Sequence, residues 1–249
     1  MKVDYLQKIL GDFETHHVHG IRACFENGIS PNQMYNGKPL VYEFINMYLR
    51  SPGFKDCIRA FVEYGLEFED ETLLAVLLDD ASDLEDLIIQ DKTILSNQYS
   101  LDAAFTPLYK TSLLHICAEY NHVACAKVLI NHGVGVNTTA GLDAHGFGGH
   151  TPIFHTVNQH DNQCIDMLKF LVSQDADLNL TVKGLIWGKG YEWETFIPSV
   201  NPVSYAMMGL LRQFQRTEVQ IYQVVSILMK AKYGIDFNPE NIPNKYLPG

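Results

Sequence analysis

Basic side chains are scarce in this sequence, and their scarcity argues against one large class of partners. Eighteen lysines and arginines stand against twenty-nine aspartates and glutamates, which gives a formal net charge of −11. Binding to nucleic acid requires a basic surface that neutralises phosphates, and anionic membrane surfaces attract the same kind of charge. The chain is therefore expected to bind neither nucleic acid nor a membrane surface.

Long apolar runs are also missing. No window reaches the roughly eighteen uninterrupted apolar residues that a membrane-spanning helix requires. The N-terminal residues MKVDYLQKILGDFE carry acids in their first turns and lack a long apolar core, so they do not resemble a signal or transit peptide. Cysteines are few and odd in number: Cys24, Cys57, Cys117, Cys125 and Cys164. Most lie on predicted helices among apolar neighbours, which is typical of reduced core residues in a cytoplasmic protein.

What the sequence does contain is a recurring pair of short amphipathic helices. The clearest copy is residues 112–137, whose apolar residues form two helical sets separated by polar residues 120–122. The second set stops at Gly133, because glycine adopts the left-handed conformation that ends helices without a Cβ penalty. A pair this short cannot bury both of its faces alone, so it needs similar pairs on either side.

Similar units are found along the whole chain, so we predict a single domain over residues 1–249. The predicted units are residues 3–32, 38–68, 71–100, 112–137, 151–179 and 201–238. Pro39 and Pro152 are expected at first helical positions, where the N–H that proline lacks would have no partner anyway. Residues 92–110 show only weak periodicity. The first helix pair, and the long last helix with its tail 237–249, are expected to cap the two ends of the array.

Two of these units carry a recognisable signature. Residues 112–118 (SLLHICA) and 151–154 (TPIF) resemble the Thr-Pro-Leu-His-x-Ala-Ala motif of ankyrin repeats, and residues 128–137 (VLINHGVGVN) resemble the ankyrin helix and tail. A period of about 33 residues is also the ankyrin spacing. The resemblance implies an all-α ankyrin-repeat solenoid of about six helix pairs, with β-turn fingers and a concave protein-binding face. It also implies that His115 braces the loop between two repeats.

Two insertions lengthen the spacing where ankyrin proteins have their fingers. Residues 138–150 place Phe147 between glycines, and residues 180–200 form two aromatic, β-prone arms around the glycine-containing turn 188–190. This pattern predicts a projecting β-hairpin that contains both tryptophans, Trp187 and Trp193. The rings either pack the hairpin against its neighbour or anchor a partner, since tryptophan and tyrosine are enriched at binding hot spots.

The leading hypothesis is a non-enzymatic scaffold or adaptor, without a cofactor, that binds a protein partner of unknown identity through its finger side and concave face. The predicted binding residues are Phe147, Trp187, Tyr191 and Trp193. Acidic residues within 67–71 and 79–86 form either a solvated face or a surface that steers a basic partner. We expect a monomer, although an exposed hairpin could serve self-association.

A metal-dependent hydrolase built on loop 143–160 is an alternative of another class. His145, His150 and His155 recur every five residues near Asp143. Zinc needs three or four converging ligands, and a spacing of five does not place side chains on one helix face. We therefore predict no metal site and no catalytic residue, with these histidines as the candidates should one exist. A secreted host-directed effector or toxin-associated module is a third alternative.

Overall fold

Helices dominate the computed structural model, which describes residues 3–208 and 216–237. Eleven α-helices lie in these residues. They are α1 (Tyr5–Glu14), α2 (Val18–Glu26), α3 (Leu40–Ile45), α4 (Phe54–Glu63), α5 (Glu71–Leu78), α6 (Ala81–Gln90), α7 (Leu113–Tyr120), α8 (Val123–Asn131), α9 (Ile165–Ser173), α10 (Pro202–Ala206) and α11 (Glu218–Tyr233). Three short 3₁₀ helices cover Lys92–Ser96, Pro152–Thr156 and His160–Asn162. None of the described helices is both long and apolar enough to cross a membrane.

Three antiparallel strand pairs lie between helices. The strands are β1 (Met34–Tyr35), β2 (Lys38–Pro39), β3 (Tyr99–Leu101), β4 (Leu108–Thr111), β5 (Val182–Trp187) and β6 (Thr195–Val200). Each pairs with its neighbour in sequence: β1 with β2, β3 with β4, and β5 with β6. The longest pair, β5–β6, lies within the insertion 180–200 and sets Gly184 opposite Pro198 and Trp187 opposite Thr195.

Aspartate side chains begin several of the helices. Asp4, Asp70 and Asp80 each accept backbone N–H groups from the first turn of the helix that follows them. An N-cap of this kind stabilises a helix by about 1 kcal/mol. Asp79 ends α5 in the left-handed conformation and accepts the N–H of Cys125 from the next unit. Part of the acidic stretch 67–86 is therefore explained by helix capping.

One hydrophobic core runs through the helix pairs. Its N-terminal part is aromatic, with the ring of Phe44 5.4 Å from that of Phe13 and 5.0 Å from that of Phe54. All five cysteines are buried and unpaired. The core fixes the ends of the helices, and those ends carry the loops and strand pairs of the fingers.

The structure differs from the sequence predictions at three places. Pro39 does not open a helix; it is the extended residue before α3 and belongs to β2. The first helix of the fifth unit is a 3₁₀ helix, with Pro152 at its start, instead of an α-helix. Residues 92–110, which lack helical periodicity, hold β3 and most of β4. Residues 209–215 of the sixth unit and the tail 238–249 lie outside the described residues.

Candidate protein-binding site

The three strand pairs and the loop 138–150 connect helices where ankyrin fingers are expected, and a groove lies between three of these four elements. We call the cavity between β3–β4, the loop 138–150 and the β5–β6 hairpin the finger groove; its volume is about 510 Å³. Its lining includes Leu101, Asp102, Tyr109, Asp143, Phe147, His150, Ile186, Lys189 and Tyr191. A smaller cavity of about 290 Å³, lined by residues of β2, α3 and β3, shares residues 100–102 with it.

Backbone hydrogen bonds join the walls of the finger groove. The N–H of Gly148 donates to the carbonyl of Gly184 at 3.0 Å, and the N–H of Gly188 donates to the carbonyl of Ala104 at 2.8 Å. Gly148 leaves no space for a side chain here, since an added Cβ would lie 2.3 Å from the carbonyl oxygen of Gly141. The three elements are thus connected at fixed separations, and the groove between them is a preformed feature.

The predicted binding residues take two different positions. Phe147 and Tyr191 line the finger groove. Tyr191 is 58% exposed and stacks on Trp193, with ring centroids 5.4 Å apart. Trp193 is 45% exposed, and its ring covers Gly188.

Trp187, by contrast, is partly buried and packs against the core. Its Nε1 donates a hydrogen bond of 2.6 Å to the hydroxyl of Tyr205, and its ring meets Phe105 edge-on at 5.3 Å. Tyr205 is fully buried, so this contact ties the hairpin to α10. The structure therefore favours a packing role for Trp187. The predicted binding residues leave out Tyr109, which lines the groove and is 40% exposed, and Phe196, which is 47% exposed with its ring 4.7 Å from that of Phe147.

Asp143 shapes the loop that holds Phe147. Its Oδ1 accepts the N–H of His145 at 2.8 Å and the N–H of Phe147 at 3.0 Å. These bonds, that of Phe147 first, hold the pKa of the Asp143 carboxyl below its usual range. Asp143 is therefore an anion at neutral pH on the wall of the finger groove.

Three histidines meet beneath the groove. The ring centroids of His115, His150 and His155 are 5.1 to 5.8 Å apart. Nε2 of His115 donates to the carbonyl of His150, which is the bracing contact that the ankyrin resemblance implied. Nε2 of His150 donates to the carbonyl of Pro107 at 3.0 Å. Burial lowers the pKa of His115 to about 3 and holds that of His150 well below 6.5, with neighbouring histidines adding to both shifts.

A buried ion pair completes this polar cluster. Nδ1 of His155 lies 2.7 Å from Glu119, and the other carboxylate oxygen of Glu119 accepts from Nε of Arg50 at 2.8 Å. Burial alone would raise the pKa of Glu119, but the Arg50 charge and the bond from His155 together lower it. The cluster therefore runs from Arg50, after α3, to Pro107 at the edge of the groove.

The arrangement gives no support to the hydrolase alternative. His150 and His155 do converge, but His155 is bound to Glu119, and His145 lies exposed on the loop above. Within residues 3–208 and 216–237 there is no group of three or more histidine, cysteine, aspartate or glutamate side chains that could hold a metal ion. The spacing of five residues was a poor guide to proximity, because tertiary packing and not one helix face brings these rings together.

Comparison with known proteins agrees with the repeats. Residues 72–182 match the family model described as ankyrin repeats, in three copies. Residues 72–182 are therefore ankyrin repeats. A similar solved structure is the ankyrin repeat domain of human ASB11, at 14% identity and a TM-score of 0.38, covering 90% of this chain and 82% of that one. No curated protein matches the sequence.

Proposed function

We propose that this ankyrin-repeat protein is a non-enzymatic interaction module that binds a protein partner in the finger groove. The supporting observation is a preformed groove of about 510 Å³ flanked by exposed aromatic rings. Solvent-exposed tyrosine and tryptophan beside a concavity are the side chains that most often supply binding energy at protein interfaces. Ankyrin repeats are generally protein-interaction modules, which agrees with this assignment.

The exposed pair Tyr191–Trp193 is the anchor in this proposal. Tyr191 stacks on Trp193, and Trp193 in turn covers Gly188 and lies 6.0 Å from the ring of Phe105, while about half of each of the two residues remains open to solvent. The internal stack holds the rings in place before a partner arrives, so less side-chain entropy is lost on binding. Trp187 supports the hairpin from below and is not part of the anchor.

The finer features of the proposal follow from the sequence. The module is a single solenoid of about six helix pairs over residues 1–249 that acts as a cytoplasmic monomer, with the concave face extending the binding surface. A basic partner suits the net charge of −11. No contact among the described residues favours the alternative of a secreted host-directed effector over a cytoplasmic interaction module.

The test is capture from a lysate of the source cells, followed by reconstitution. Wild type, the double variant Tyr191→Ala/Trp193→Ala and the control variant Tyr233→Ala are used as bait, since Tyr233 is equally exposed, at 57%, but lies at the end of α11. A protein retained by wild type and the control is then purified, and its Kd is measured for all three. We expect a loss of at least about tenfold in affinity for the double variant alone, which equals about 1.4 kcal/mol.

Two results would count against the proposal. Equal affinity of the double variant and wild type would remove the aromatic anchor. Loss of binding with an altered far-ultraviolet circular dichroism spectrum would show that Tyr191 and Trp193 are needed for folding. Trp187→Phe, which keeps the ring and loses the bond to Tyr205, serves as the matched hairpin variant and should bind like wild type.

A further inference from the structure

The finger groove and the adjoining cavity each have a buried hydrogen-bond acceptor without a donor in their lining. Because the carbonyl of Pro107 can only accept, Nε2 of His150 must carry the proton, which leaves a lone pair on Nδ1. His150 is 1% exposed and lines the groove, yet its Nδ1 has no partner in the structure. In the adjoining cavity, Oδ1 of Asn46 is likewise a buried acceptor without a donor. Native proteins satisfy nearly all buried acceptors, so these two atoms are positions at which an N–H group of a ligand would be stabilised.

The two carboxylates that line the groove, those of Asp143 and Asp102, are also hydrogen-bond acceptors. Both backbone bonds to Asp143 end on Oδ1, so Oδ2 remains for a ligand. Asp102 lies at the junction of the two cavities, where Lys38 donates to its Oδ2 at 2.6 Å. The ammonium group of Lys183 already donates a hydrogen bond of 2.8 Å to the carbonyl of His145. Lys189, the one lysine in the lining of the finger groove, faces the charge of Asp143.

The rings around the groove already attract cations. The Lys183 ammonium lies 5.0 Å from the ring centroid of Phe147, and the Lys110 ammonium lies 5.5 Å from that of Tyr109. Tyr191, the third and most exposed ring of the lining, has no cation over its face among the described residues, although Lys38 lies near enough to interact with it electrostatically. A planar cation could therefore stack on Tyr191 while it bonds to acceptors below.

We propose that the finger groove receives an arginine side chain from an extended segment of the partner, with its guanidinium between Asp143 and the ring of Tyr191. This inference rests on the proposed interaction function and names the chemistry of the partner. Arginine suits the groove better than lysine, because a guanidinium offers five donors in a plane and can bond to a carboxylate while it stacks on an aromatic ring. The orphaned acceptors of His150 and Asn46 are further sites for N–H groups of the same segment.

Synthetic peptides test the inference without the natural partner. The probe is a fluorescein-labelled nonapeptide, Gly-Ser-Gly-Arg-Val-Arg-Gly-Ser-Gly, titrated with the full chain and followed by fluorescence anisotropy. The matched peptide carries citrulline in place of both arginines, which keeps the shape and removes the charge. A lysine version distinguishes the planar cation from a point charge. We expect the arginine peptide to bind at least about tenfold more tightly than the citrulline peptide, with the lysine peptide between them.

Two groove variants should change the affinity in opposite directions. Asp143→Asn keeps the Oδ1 acceptor that holds the loop and removes the charge, so binding should weaken at least about tenfold. Lys189→Gln removes the competing cation, so binding should tighten about threefold. Reversed signs would show that the groove prefers an acidic ligand and would overturn the inference. If Asp143→Asn disturbs the loop, the citrulline comparison and Lys189→Gln decide the matter.

The peptide experiments can fail without refuting the proposed interaction function. Absence of any difference between the arginine and citrulline peptides refutes the arginine inference. If a captured protein nevertheless needs Tyr191 and Trp193 for its binding, the proposed interaction function stands, and the partner is recognised by a group other than arginine. If the peptides show no difference and no captured protein depends on Tyr191 and Trp193, both proposals are refuted.

Discussion

Mild acid is expected to destabilise this protein strongly, because it keeps several histidines buried and uncharged. His16, His115 and His122 are 6%, 0% and 3% exposed. Burial is the main cause that lowers their pKa values to about 4, 3 and 4, with the nearby charge of Arg50 adding to the shift of His16. The native fold therefore excludes protons that an unfolded chain binds readily.

The sign and size of the effect follow from linkage. An unfolded histidine has a pKa of about 6.5, so below that pH the unfolded state gains protons and the free energy of unfolding falls. The contribution of each histidine is intact above pH 6.5 and is lost progressively towards its native pKa of about 3 or 4. At pH 5.5 each one costs about 1.4 kcal/mol, or about 4 kcal/mol for three, out of a typical total of about 5–15. His150 adds a loss of the same sign.

Urea denaturation followed by circular dichroism at pH 7.5, 6.5 and 5.5 measures this loss. The variant His122→Asn keeps an amide nitrogen near the Val76 carbonyl that Nδ1 contacts, and should reduce the difference between pH 7.5 and pH 5.5 by about 1.4 kcal/mol. The control His19→Asn alters an exposed histidine of α2 and should leave the difference unchanged. A wild-type loss below about 2 kcal/mol, or equal effects of the two variants, would refute the reasoning.

Three further outcomes are expected. Glu119→Gln leaves the buried Arg50 without its counter-ion and should lower the free energy of unfolding by about 3–5 kcal/mol in urea titrations; a loss under about 1 kcal/mol would mean that the cluster is not a coupled ion pair. Gly188→Ala places a Cβ 2.4 Å from the Trp193 ring at a backbone φ of +58°, so tryptophan emission should shift to the red; an unchanged spectrum would contradict the packing described. All five cysteines are buried and should react with Ellman's reagent within minutes only after unfolding, so rapid reaction of the native protein would show that the core is open.

The helices were predictable because their signals are local. Gly133 follows α8 with a φ of +95°, as its place in the sequence suggested. The third unit was harder to recognise because its second helix ends in Gln90 and Asp91, without a glycine. The structure shows how α6 ends without a glycine. Asp91 is extended, and its side chain begins the next 3₁₀ helix by accepting the N–H of Thr93.

The site was only partly predictable because its contacts are not local. Two aromatic, β-prone arms around a glycine-containing turn indicated a hairpin but did not reveal which tryptophan contacts Tyr205, since that depends on packing against α10. Phe147 and Tyr191 both line the finger groove, and their role in partner binding stays a prediction. The sequence of residues 92–110 did not indicate strands, because β3 and β4 are short and their pairing is irregular between Tyr99 and Leu101.

The groove and the core are parts of one hydrogen-bonded arrangement. Arg50 contacts Glu119, Glu119 contacts His155, and His155 lies 3.2 Å from Nε2 of His150, which donates to Pro107 on the groove lining. A partly satisfied polar network costs more than an apolar core, so its retention needs a reason beyond stability. Its unsatisfied atom is Nδ1 of His150, a residue of the groove lining. The ion pair in the core therefore helps to fix the ring of His150, whose buried Nδ1 still lacks the donor that an arriving segment would supply.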